Sequence, residues 1–154
     1  SRALCPILQA LDFGITVFDP RPDTSVYFDA LNVPVVSVGY EEILQHQELI
    51  GKAEYCVIAT HGHQHDFHVL KQLIELESGL RYIGLIGSSR KVKVTLSRLV
   101  QDGRAIPSAV YSPIGLKIGA RTASEIAVSI AAEVVAIKNG HPADHMRLND
   151  PPQK

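Results

Sequence analysis

A chain of 154 residues, 45 % hydrophobic and 20 % charged, suits one globular domain that can bury a core without disulfide help. Its formal net charge of -1 offers no field to attract nucleic acid, and no stretch approaches the roughly 20 apolar residues that span a membrane. Cys5 and Cys56 are the two cysteines, with Cys56 inside a strand pattern, so a reducing, cytoplasmic compartment is expected. No signal peptide and no initiator Met are visible.

In chain order, Leu4, Ile7, Leu8 and Leu11 recur at helical spacing, and Pro6 is tolerated only in a first turn. A helix is therefore predicted over Arg2 to Leu11, beginning close to Ser1 and closed by Gly14. Ile15 to Phe18 reads as a buried strand that stops at Asp19, Pro20, Arg21 and Pro22. Val33 to Val38 is the next strand, followed by a short helix or helical turn over Tyr40 to Ile50. Tyr55 to Thr60 is an apolar run that ends at the polar HGHQHD segment. A helical pattern starts at Phe67, with Leu70, Leu73 and Ile74, and stops at Ser78 and Gly79, where glycine can take the left-handed conformation. Arg81 to Ile86 is a further strand, running into GSSRK; Val92, Leu96, Leu99 and Val100 then mark a helix closed by Gly103. Ala109 to Tyr111 is an edge strand, and Ser112 to Arg121 is glycine-rich and irregular. Thr122 followed by Glu125 is a capping box, opening a helix that runs to Asn139, carries the core stripe Ile126, Ile130, Val134 and Ile137, and ends at Gly140.

The order helix, strand, strand, helix, strand, helix, strand, helix, strand, helix predicts a doubly wound, mostly parallel Rossmann-like α/β sheet over residues 1–140. The polar tail 141–154 is expected to be poorly ordered or used only against another chain. In such a fold a first strand and a glycine loop precede the first helix, and an acid about 20 positions on reaches ribose hydroxyls. Asp19 sits where that acid falls, but the strand and loop do not occur here. The sequence is expected to be a piece of a longer domain, with a gap between the strands ending at Asp19 and Thr60.

Ligands of open parallel sheets bind beyond the strands' carboxyl ends, which is where the two polar loops fall. In GSSRK, Gly87 makes the turn, Ser88 and Ser89 open the helix, and Arg90 and Lys91 add charge. Free amides and a partial positive charge at a helix start suit a phosphate or carboxylate. The bland alternative is an ordinary serine cap with two solvated cations. Arg121 would add a third cation if Pro113 to Ala120 folds over the site. In the other loop His61, His63, His65, Asp66 and His68 crowd together. THGHQHD resembles the first zinc motif of metallo-β-lactamase-type hydrolases, but its acid follows His65, and only His46, His141 and His145 remain elsewhere as ligands. No metal site is therefore expected. The bland reading makes Asp66 a helix N-cap and leaves His65 and His68 solvated, whereas His61 and His63 stand at the strand end. Cys56 reads as a core residue, and no serine sits in a GxSxG elbow.

Taken together and in this order, VFDPRPD, ATHGHQHD, YIGLIGSSRK and PIGLKIGARTASEIAVSIAAEV resemble the Rossmann-type C-terminal domain of the XdhC/CoxI family, accessory proteins of xanthine dehydrogenase and related molybdenum hydroxylases. The resemblance implies a molybdenum-cofactor (molybdopterin) chaperone that supports sulfuration by a cysteine desulfurase and delivers the cofactor to the apo-hydroxylase, without catalysis of its own; a homo-oligomer is expected. The cofactor-binding set is then Asp19, Arg21, His61, His63, Asp66, Gly87, Ser88, Ser89, Arg90 and Lys91. An NAD(P)-dependent oxidoreductase, favoured by Asp19, is the second reading, and a metal-dependent hydrolase the third.

Overall fold

The computed structural model describes residues 1–76 and 79–144, apart from the side chain of His63. Its elements run α1 (Leu4–Ala10), β1 (Val17–Phe18), α2 (Thr24–Asp29), β2 (Val35–Val36), a 3-10 turn (Ile43–His46), α3 (Gln47–Ile50), β3 (Tyr55–Ile58), α4 (His63–Glu75), β4 (Tyr82–Leu85), α5 (Ser89–Gln101), β5 (Val110–Tyr111) and α6 (Ala123–Asn139). The α/β reading holds, and every strand pair is parallel.

The strands form two sheets, β1-β2 and β3-β4-β5. In the three-stranded sheet side chains alternate between the faces, as the pleat requires. Cys56, Ile58, Ile83 and Leu85 meet Phe67, Leu70 and Leu73 of α4 and Leu99 of α5. Tyr55, Val57 and Tyr82 meet Leu4 of α1 and Ala127, Ile130, Ala131 and Val134 of α6. β4 is central and buried along its whole length. Gly84 stands on the α6 face because Ile114 occupies the space that a Cβ there would need. A third cluster, Cys5, Phe28 and Val33 with Ile15, Val17 and Val35, covers the two-stranded sheet.

β1 and β3 are not paired, so the expected gap is present between them. Val17 and Asp19 donate to Pro34 and Val36 of the β2 segment at 2.9 and 3.1 Å. The Phe18 amide therefore points to the opposite edge, which has no strand among the described residues. A cavity of about 410 Å3 is lined by the start of α1, by Arg21 and Phe28, by Val57, Ala59 and Ile86 beside β3 and β4, and by Ile130 of α6.

Several local expectations are corrected. α2 is not among the elements expected from sequence, although two parallel strands such as β1 and β2 need a crossover between them. Phe28, 1 % exposed, anchors that helix by tertiary packing that its β-prone residues conceal. α4 begins at His63 rather than Phe67, with Gly62 as its N-cap. The 40–50 segment splits into a 3-10 turn and a short α-helix. α1 ends at Ala10 with Leu11 as its C-cap, and Asp12 takes the left-handed conformation (φ 60°) in place of Gly14. The α6 capping box and the left-handed Gly140 are as expected. The expected stop at Ser78 and the behaviour of the tail from His145 onward lie outside the described residues.

Candidate functional site

β3 and β4 run parallel in the register Ile58↔Leu85, and Ile86 donates to Ile58 at 3.0 Å. The segments that leave them, from Thr60 and from Gly87, therefore emerge at the same end of neighbouring strands. At the second of these turns Ser88 is the N-cap of α5 with an extended backbone, but its side chain makes no capping bond. Ser89, Arg90 and Lys91 form the exposed first turn. Among the described residues no ion pair engages Arg90 or Lys91. The helix start thus offers open amides and uncommitted cations together, a composition suited to an oxyanion.

The first turn is braced from within. The Thr60 amide and hydroxyl donate to Asp66 Oδ1 at 3.2 and 2.7 Å, and Asp66 is 7 % exposed. Asp66 is therefore neither an N-cap nor a free carboxylate; it fixes the approach of β3 to α4 from inside the helix's first turn. That brace sets the position of His61, which is exposed at the strand end. The backbone places His63 at the first position of α4.

Asp19 follows β1 and is also engaged. It accepts the Arg21 amide at 3.0 Å, Arg21 Nε at 2.9 Å and Arg21 Nη2 at 2.6 Å. Those bonds hold its carboxyl below the usual carboxylate range, against the opposing effect of burial. A ribose hydroxyl would have to compete with this pair for both carboxylate oxygens.

Tyr40, expected only as the start of a helical turn, joins these pieces. It leaves the carboxyl end of β2 with 8 % exposure. Its hydroxyl is hydrogen-bonded to His61 Nδ1 at 3.3 Å, and its ring lies 4.9 Å from that of His65. The buried Gln72 Nε2 donates to its carbonyl at 2.6 Å. Burial first, then Asp19 and, less strongly, Asp66, push its phenol pKa up, with Arg21 opposing, so the hydroxyl keeps its proton. The rule that ligands gather at strand carboxyl ends, applied to GY after the VPVVSV strand, could have found it. His65 Nδ1 is buried without a hydrogen-bond partner, 3.8 Å from Glu41.

Among the described residues no group of three His, Cys, Asp or Glu side chains is placed to hold a metal ion. Cys56 is pushed up to about 12 by burial, and burial also raises Cys5; both are thiols rather than thiolates at neutral pH. Neither cysteine is thus poised as a nucleophile, and the group of this region whose composition suits an anion is the start of α5.

Residues 1–134 match the family model of the XdhC Rossmann domain. The chain belongs to this family. The XdhC chain is 38 % identical over 125 residues to a protein of Bacillus subtilis (strain 168) named as a probable xanthine dehydrogenase subunit, covering 80 % of this chain and 35 % of that protein. It is 31 % identical over 157 residues to the uncharacterized protein YqeB of Escherichia coli (strain K12), covering 95 % of this chain and 27 % of that one. The fold also matches a crystal structure described as a xanthine dehydrogenase from Bacillus halodurans, with a TM-score of 0.74 and 29 % identity, over 90 % of this chain and 41 % of that chain. The chain therefore spans about a quarter to a third of the length of the curated relatives it matches. Among the described residues no helix is long and apolar enough to cross a membrane.

Proposed function

We propose that this XdhC domain is the cofactor-holding part of an accessory protein for xanthine dehydrogenase-type molybdenum hydroxylases. It binds the phosphate-bearing molybdopterin cofactor non-covalently while a cysteine desulfurase sulfurates it, and then releases it to the apo-hydroxylase. One observation carries this reading: the His61 loop and the uncapped start of α5 leave the same end of adjacent parallel strands. Arg90 and Lys91 with the first-turn amides of α5 would hold the phosphate, and His61 the cofactor's polar end. When bound, the cofactor supplies the molybdenum chemistry of the recipient enzyme; this chain's residues orient and shield it. The raised pKa values of Cys5 and Cys56 suit a carrier that releases its cargo, since neither thiol is poised to form a bond with it.

Titration of the complete protein with molybdenum cofactor tests the reading, with NAD and zinc as separate arms. A charge-assisted bond to phosphate is worth about 1.5–3 kcal/mol, so Arg90→Ala or Lys91→Ala should weaken cofactor binding about tenfold or more. His68→Ala should change it little. Unchanged affinity in both cation variants would remove the phosphate role of this turn. NAD binding with reductase activity would replace the chaperone by the oxidoreductase, and tight zinc binding without cofactor affinity would favour a hydrolase.

A further inference from the structure

We infer that Tyr40 sets His61 as a hydrogen-bond donor through Nε2, so that this part of the site meets a negatively charged oxygen of the ligand rather than a metal ion. The inference rests on the proposed site and names the chemistry that His61 presents there.

The Tyr40 hydroxyl has one bonding partner among the described residues, His61 Nδ1 at 3.3 Å. Tyr40 is 8 % exposed as a residue, and its hydroxyl meets His61 at a part-buried contact. That proton has to go to an acceptor, and a neutral imidazole has one acceptor nitrogen. Donation from Tyr40 makes Nδ1 the acceptor and leaves the ring proton on Nε2. His61 itself is exposed, so its free side offers an N–H to the ligand.

A metal ion at Nε2 would need the opposite tautomer. Nδ1–H would then face the tyrosine oxygen, and the phenolic proton would lose its one protein acceptor among the described residues. That state is penalised by roughly tenfold or more in affinity. Nearby charge acts in the same direction through the phenol: Asp19 and Asp66 both disfavour tyrosinate, and Arg21 only partly offsets them. His65 packs against the ring of Tyr40 and makes no bond to its hydroxyl, so His61 remains the acceptor.

Two oxygen sources share this chemistry, a phosphate and the oxo groups of a molybdenum centre. Inorganic phosphate and molybdate are therefore used as separate probes, with zinc as a third, on wild type and Tyr40→Phe. The variant keeps the ring packed on His65 and removes only the hydroxyl. Long-range proton–nitrogen spectra of 15N-labelled full-length protein, with the His61 signals assigned from His61→Gln, read the tautomer without any ligand.

Wild type should show a single form of neutral His61 with the proton on Nε2, and Tyr40→Phe a mixture. The oxyanion that contacts His61 should shift its Nε2–H signal and bind the variant about threefold or more weaker. Zinc should bind the variant more tightly than wild type, the opposite sign. Whichever of phosphate and molybdate shows the loss identifies the source of the oxygen. A His61 protonated on Nδ1 in wild type would overturn the inference, as would equal zinc and oxyanion affinities in the two proteins. Because the tautomer is read without cargo, failure of the chaperone assignment would leave this result standing, and the reverse also holds.

Discussion

The Tyr82 hydroxyl donates to Glu133 Oε2 at 2.5 Å, and the same carboxylate oxygen accepts the Gly115 amide at 2.9 Å. One side chain of α6 thereby ties the central strand β4 to the loop that follows β5. Tyr82 is completely buried and stacks on Tyr111 at 4.8 Å. Burial, and then the adjacent carboxylate, raise its pKa, so it stays a donor across the working pH range.

Tyr82→Phe should therefore cost about 1.5–3 kcal/mol, the range for a hydrogen bond to a charged group. Glu133→Ala should cost more, because it also leaves the Gly115 amide without its acceptor. Urea unfolding measures both. A Tyr82→Phe midpoint equal to wild type would show that the bond contributes nothing net.

Gly84→Ala should destabilise by about 1–3 kcal/mol, the usual cost of overpacking, because its Cβ would run into the Ile114 side chain and the Tyr82 ring. Ile114→Ala opens a cavity at a cost of about 2–5 kcal/mol. The double variant should be less destabilised than the sum of the two, since each change relieves the other. Strict additivity in a double-mutant cycle would mean that the strand moves instead of colliding.

The Asp19–Arg21 pair gives stability a definite pH dependence. The folded-state pKa of Asp19 is depressed, chiefly by the Arg21 hydrogen bonds. Its contribution is complete above the unfolded value of about 4 and is lost as pH falls through the lower folded value. Asp19→Asn should then cost about 1–2 kcal/mol at pH 7 and progressively less at more acid pH. Unfolding midpoints at pH 7 and pH 3 decide it; a penalty that grew on acidification would contradict the assignment.

The alternation of elements, the capping box of Thr122 and Glu125, and the break between β1 and β3 are legible in the sequence because each rests on local pattern or on a general rule of parallel sheets. α2 is not, since Val26, Tyr27 and Phe28 carry no helical preference and only burial of Phe28 against Cys5 and Val33 makes the helix worth forming. The start of α4 escapes for a similar reason. HGHQHD contains no strong cap before Asp66, and the backbone closes on Gly62 instead. At the site, position along a strand is enough to single out His61 and the GSSRK turn. It does not reveal that Asp66 and Asp19 are occupied by Thr60 and Arg21, because such pairings belong to side chains and not to spacing. The same rule reaches Tyr40 at the end of the VPVVSV strand, but not its bond to His61, which lies 21 residues away in sequence.

The separation of the two sheets makes their opening two distinct events. β1 and β2 pair only with each other among the described residues, so they can exchange their amide hydrogens by a local excursion that leaves β4, bonded on both sides, protected. The Tyr40–His61 contact bridges the two units. A ligand that engages loops from both must suppress the smaller opening. Slower exchange at Val17, whose amide bonds to Pro34, would then report occupancy of a site that this residue does not touch, with ordering of the first sheet as a cost of binding.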